Sequence, residues 1–90
     1  MAALDLLFEF KYVGLKELGL TGESLRVATR EALAALPPVA AKLDEAAAQA
    51  QRYGAALRAR YGLTDLRLFA VVGIGLERVV WRVVEPAAEP

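Results

Sequence analysis

Gly14-Leu15-Lys16-Glu17-Leu18-Gly19-Leu20-Thr21 sets two glycines at the spacing of a phosphate-binding loop, where a strand pattern gives way to a helix pattern. Such loops place a lysine immediately before the Ser or Thr, so that its ammonium reaches the terminal phosphates. Here Leu20 stands in that position. The segment therefore reads as a glycine-rich lead-in to a helix, with at most a weak anion site at the helix start. Acid–base chemistry asks for two titratable groups in one pocket whose environments drive their pKa values apart. Among the candidate carboxylates, Asp5 and Glu9 share one face of an alternating strand, and Asp44-Glu45 suit the dipole near the start of a helix. Glu17 and Asp65 complete the set, and solvated charge is the better account of it. Ser24 is the only serine, and the chain has no histidine to activate it. Metal binding by carboxylates alone asks for several of them in one loop. None are so clustered, and no metal or cofactor is expected. Arg52, Arg58 and Arg60 crowd the end of a helix, where cations complement its dipole.

Composition points the same way. The chain has 90 residues, 57% hydrophobic and 24% charged, with 11 basic and 11 acidic side chains and no cysteine. That length predicts one domain, taken as residues 1–84, followed by a short acidic tail at 85–90. Without cysteine or histidine there is no disulfide, no thiolate site and no imidazole base. A formal net charge of zero disfavours a main role in gripping phosphate backbones or anionic lipid. Met1–Phe10 lacks the basic start of a signal peptide, and the apolar run Leu68–Leu76 falls well short of the ~18–20 residues of a membrane helix. A cytoplasmic location is the expectation. Arginine exceeds lysine, valine exceeds the lone Ile74, and asparagine is missing. This is a bias of GC-rich codons that also suits a heat-adapted protein.

The elements that would position any site follow from periodicity. Leu4–Val13 alternates, with Leu4, Leu6, Phe8, Phe10 and Tyr12 on one side and Asp5, Glu9 and Lys11 on the other, which predicts a strand with one buried face. After the connector Gly14–Gly22, Thr21 is placed to cap a first helix over Gly22–Leu36, with Leu20 and Leu25 at the spacing of a hydrophobic staple. Pro37 and Pro38 turn the chain into a second helix ending near Tyr61. Its stripe of Leu43, Ala47, Ala50, Gly54, Leu57 and Tyr61 is mostly small, which predicts close approach to a neighbouring layer. Gly62 supplies the left-handed stop. Asp65–Val84 predicts a hairpin around Gly73-Ile74 in a two-residue turn. That turn sets Asp65 against Arg82, Phe69 against Arg78, and Leu66 and Leu68 against Trp81 and Val79. A four-residue loop would instead oppose Arg67 and Arg82.

The resulting order β-α-α-β-β predicts a two-layer α+β domain, with a helical corner on one face of a small, mainly antiparallel sheet. A helical corner followed by a terminal hairpin resembles in layout the small ribonuclease toxins of bacterial toxin–antitoxin pairs. No catalytic motif residue of those toxins is matched.

In this register Phe8, Phe10, Leu66, Leu68, Val79, Trp81 and Val83 face the helices. The other face then carries Leu7, Val13, Phe69, Val71, Leu76, Val80 and Val84, interspersed with Lys11, Arg67, Arg78 and Arg82. Two helices cover one side of three strands, so the second apolar face calls for a cover. The expectation is a non-enzymatic module that forms a homo-oligomer, a dimer by preference, or binds a partner protein. The alternative uses Lys11, Arg67, Phe69, Arg78 and Arg82 as a basic and aromatic surface for single-stranded nucleic acid, RNA in particular.

Overall fold

The computed structural model describes residues 5–63 and 65–86. The expected strand start at Leu4 and the tail residues 87–90 lie outside them. The elements in chain order are β1 (Asp5–Val13), α1 (Leu15–Leu18), α2 (Gly22–Val27), α3 (Arg30–Ala35), α4 (Pro37–Tyr61), β2 (Leu66–Ile74) and β3 (Arg78–Val84). They form an α+β domain with the helices on one face of a three-stranded sheet of order β1-β2-β3. No helix among the described residues is long and apolar enough to cross a membrane.

The first helix expected over Gly22–Leu36 is two short ones. Ala28 leaves helical geometry at φ −73° and ψ 145°, and the Thr29 hydroxyl then caps α3 by accepting from the Ala32 N–H at 3.1 Å. Thr21 caps α2 in the same way through Ser24 N–H at 3.1 Å. Both are hydroxyl caps that satisfy an otherwise orphaned first-turn donor. The break is held from outside by Arg78, whose guanidinium donates to the carbonyls of Leu25 at 2.7 Å and Ala28 at 2.9 Å. Those carbonyls lie at the end of α2, where no intrahelical donor reaches. Arg78→Met should therefore destabilise the chain by about 2–3 kcal/mol in urea unfolding, the scale of charge-assisted bonds lost with acceptors left unpaired.

Only α4 is long enough to span the sheet. Its 25 residues reach about 37 Å at 1.5 Å per residue, and a nine-residue strand about 30 Å. One full-length return delivers the chain back to the starting end of the sheet, so β2 pairs parallel to β1, while β3 turns back antiparallel to β2. The sheet is mixed rather than mainly antiparallel because the corner expected to supply a second full-length helix is spent in α1, α2 and α3.

The helix α4 starts as proline chemistry dictates, with Leu36 extended and Pro37 in its first turn, and stops at Gly62 with φ 64°. Its small stripe lies against β2. Val39, Leu43, Ala46, Ala50 and Gly54 are buried, and Ala47 and Leu57 pack beside them. Tyr61, expected in this stripe, is exposed with Arg60 at 5.6 Å from its ring. A methyl group on Gly54 would stand 2.9 Å from Leu68 Cδ2. Gly54→Val should accordingly cost about 1–3 kcal/mol through overpacking. Gly54→Ala should come out near neutral, since about 1 kcal/mol of helix propensity offsets the milder clash. Denaturant midpoints of the two variants check both.

The hairpin departs from its expected register. Gly75, Leu76 and Glu77 form a three-residue connection, with Gly75 left-handed at φ 58° and its N–H donating to Val13 O at 3.0 Å. Leu68 pairs with Val84 rather than Val79, a shift of five positions (84 − 79 = 5). An odd shift moves every side chain of the strand to the other face. Charge pairing between β2 and β3 misled the expectation, because the arginines of β3 match the helices instead. Arg82 donates to Asp44 Oδ1 at 2.9 Å, and Arg78 caps α2.

The faces of β1 are likewise exchanged. Val13 is fully buried and Leu7 packs against the core, while Leu6, Phe8, Phe10 and Tyr12 are exposed. A helix seated on alanine and glycine comes so close that only aliphatic side chains fit beneath it. Leu66, Leu68, Ala70, Val72, Ile74, Val80 and Val84 fill that layer. Aromatic rings on β1 have no room there and lie on the far side.

Candidate functional site

The helix-free face of the sheet is built in rows by the strand register. One row runs Phe8, Phe69, Val83, the next Phe10, Val71, Trp81, and the third Tyr12, Gly73, Val79; Leu6 and Arg67 pair at one end. In two of these rows the central strand contributes a small residue between larger ones. Val71 therefore forms the floor of a depression of about 370 Å³, lined also by Phe8, Phe10, Phe69 and Trp81, without a polar side chain. Phe8 stacks on Phe69 with ring centroids 4.9 Å apart and planes at 16°, and lies 6.1 Å from Phe10. Such offset contacts between rings hold the rotamers of an otherwise solvent-facing cluster. The outer rings stay wet: Phe10 is 67% exposed, Tyr12 57% and Trp81 49%. The Arg30 guanidinium lies 5.0 Å from the centre of the Trp81 ring, which fixes the β3 side of the depression.

The residues expected to form the covered face divide. Phe69 and Val71 are on it. Leu7, Val13, Val80 and Val84 face the helices, the last three buried in the protomer's own core, because the registers of β1 and β3 are exchanged. Leu76 lies at the tip of the β2–β3 turn, 98% exposed and off the sheet face. The residues that take their place are Leu6, Phe8, Phe10, Tyr12, Val79, Trp81 and Val83, all about half exposed or more.

The cation set proposed for nucleic acid divides the same way. Arg67 shares the open face with Phe69. Lys11 points to the helix side, 4.0 Å from Glu45, and Arg82 and Arg78 are engaged with Asp44 and the α2 carbonyls. Three of the four cations thus lie on the opposite side of the sheet from the ring.

The glycine pair of the phosphate-loop spacing belongs to helix ends. Gly14 precedes α1, and Gly19 closes it in the left-handed conformation with φ 64°. The Thr21 hydroxyl is spent on Ser24. The candidate carboxylates Asp44 and Glu45 pair with Arg82 and with Lys42, and no three acidic side chains converge among the described residues. Arg58 and Arg60 sit in the last turn of α4, as the dipole favours. Comparison with protein-family models, with curated proteins and with solved structures finds no match to the chain.

Proposed function

We propose that the chain is a non-enzymatic self-associating module, in which the open sheet face of one copy is covered by the same face of a second copy about a two-fold axis. The observation that carries this reading is the aromatic face itself, with Phe8, Phe10, Tyr12 and Trp81 exposed beside Leu6, Val79 and Val83. Taking aromatic side chains at about 150–250 Å² and the aliphatic ones at about 150 Å², the exposed shares of all seven side chains come to roughly 550–800 Å² per protomer. A standard interface takes about 800 Å² from each partner, so this one face is nearly sufficient. A contiguous apolar surface of that size exceeds what monomers usually leave in water. The relief also suits a copy of itself. A rim residue such as Phe10 matches the depression over Val71 of a second copy, and two-fold symmetry makes the match twice. With no net charge on the chain, no long-range repulsion opposes the encounter.

A single-stranded nucleic-acid platform has the rings it needs on this face. The cations that would neutralise phosphates are reduced there to Arg67, with Arg30 at the rim, so self-association is the better supported of the two.

Trp81 is the only tryptophan and lies in the face, which makes its emission the direct reporter. On raising the protein from nanomolar to high micromolar concentration, the emission should move to the blue as water leaves the ring. An emission maximum constant over that range refutes the reading.

A further inference from the structure

The edge of the sheet carries a second self-recognition element, independent of the open face. β1 is an edge strand whose nine residues contain neither proline nor glycine, so its outer N–H and C=O groups can pair along its length. We infer that β1 pairs antiparallel with β1 of a second copy in the register that sets Phe10 opposite Phe10, joining two three-stranded sheets into one of six.

The sequence of the strand favours that register over one centred on Phe8, which would set Glu9 against Leu7. Centred on Phe10, it places Phe8 opposite Tyr12 and Phe10 opposite its twin on the aromatic side. On the helix side it places Glu9 opposite Lys11 and Leu7 opposite Val13. Every pair is favourable: rings against rings, opposite charges, and aliphatic against aliphatic. Centring on Glu9 opposes two carboxylates, and centring on Lys11 opposes two ammonium groups. Any register centred between residues sets one face of the strand against the other face of its twin. Glu9 makes no ion pair among the described residues, and the Lys11 side chain, 22% exposed, has there only the 4.0 Å contact with Glu45, so neither charge is held in a short ion pair. The two-fold axis of this pairing is perpendicular to the sheet, whereas that of face stacking runs parallel to it. The two contacts can therefore coexist in a four-chain assembly.

The test is a charge exchange in the Val79→Glu/Val83→Glu background, which disables the open face and leaves the edge. The background chain should remain a dimer by native mass spectrometry. Glu9→Lys or Lys11→Glu should each weaken that dimer about tenfold or more, since either creates two like-charge pairs per dimer. Mixing the two variants should restore it as a mixed dimer in excess of the statistical share, and Glu9→Lys/Lys11→Glu in one chain should restore the homodimer. Circular dichroism of each variant confirms that it is folded. As a second measurement, Phe10→Cys should cross-link rapidly on oxidation, whereas Phe8→Cys, opposite Tyr12 of the twin, should not. A monomeric background, or charge variants that associate like their parent with only statistical mixing, overturns the edge pairing. Either result leaves the face reading to stand on the Trp81 shift of the unmodified chain.

Discussion

Val80→Glu should unfold the chain, while Val79→Glu, one position away, should leave it folded. Val80 is completely buried beneath the helices, paired with Val72 on the central strand, and Val79 is half exposed on the open face. A carboxylate at position 80 would sit among aliphatic side chains, and the two arginines on the same side of β3, Arg78 and Arg82, are already bonded to the α2 carbonyls and to Asp44. Burial of an unpaired charge costs about 4 kcal/mol or more even after the group shifts its protonation. A 90-residue chain has a total stability of about 5–13 kcal/mol, so most or all of it is consumed. At position 79 the same carboxylate meets water, and the change should stay within about 1 kcal/mol. Urea unfolding of both variants, at concentrations low enough to keep the chains apart, reads the register of β3 directly. If the hairpin turned at Gly73-Ile74, the two effects would exchange places.

That pair of neighbours also marks the limit of what the sequence expresses. The order of elements, the caps at Thr21 and Gly62, the proline start of α4 and the close seat of its small stripe all follow from local chemistry that acts within a few residues. The covering of one sheet face only follows from counting elements. Which face is covered depends on parity, and parity is set by a single turn. A two-residue and a four-residue connection give the same parity, so weighing Arg67 against Arg82 could not detect the error. The three-residue connection with left-handed Gly75 reverses it. β1 misleads for a different reason. Its most apolar alternate residues, Phe8, Phe10 and Tyr12, are its outward ones, because the space under α4 was already fixed by Ala46, Ala50 and Gly54 to a depth that rings exceed. An ion pair or a cap contributed from a distant element, as Arg78 contributes to α2, leaves no periodic trace at all.

The second large effect concerns association. Val79→Glu/Val83→Glu places two carboxylates per protomer at positions that water reaches in the single chain and that a second copy would dry. Each would be desolvated without a partner at a cost of several kcal/mol. Face-mediated self-association should thus weaken by at least about 100-fold, since each 1.4 kcal/mol is a factor of ten. The Trp81 blue shift should move to correspondingly higher concentration. Leu76→Glu is the matched control. Leu76 is more exposed than either valine but sits on the turn, so the same charge there should leave association unchanged. Equal weakening by Leu76→Glu would mean that general charge, not the sheet face, governs the equilibrium.

Sedimentation equilibrium of the unmodified chain at high micromolar concentration and moderate salt decides whether the aromatic face has a resident partner. A mass of two or four chains that falls by half in Val79→Glu/Val83→Glu, which spares the β1 edge, is the expected result. A single-chain mass that holds across the whole concentration range would contradict it, and would leave Phe8, Phe10, Tyr12 and Trp81 facing solvent with no copy of the protein to cover them.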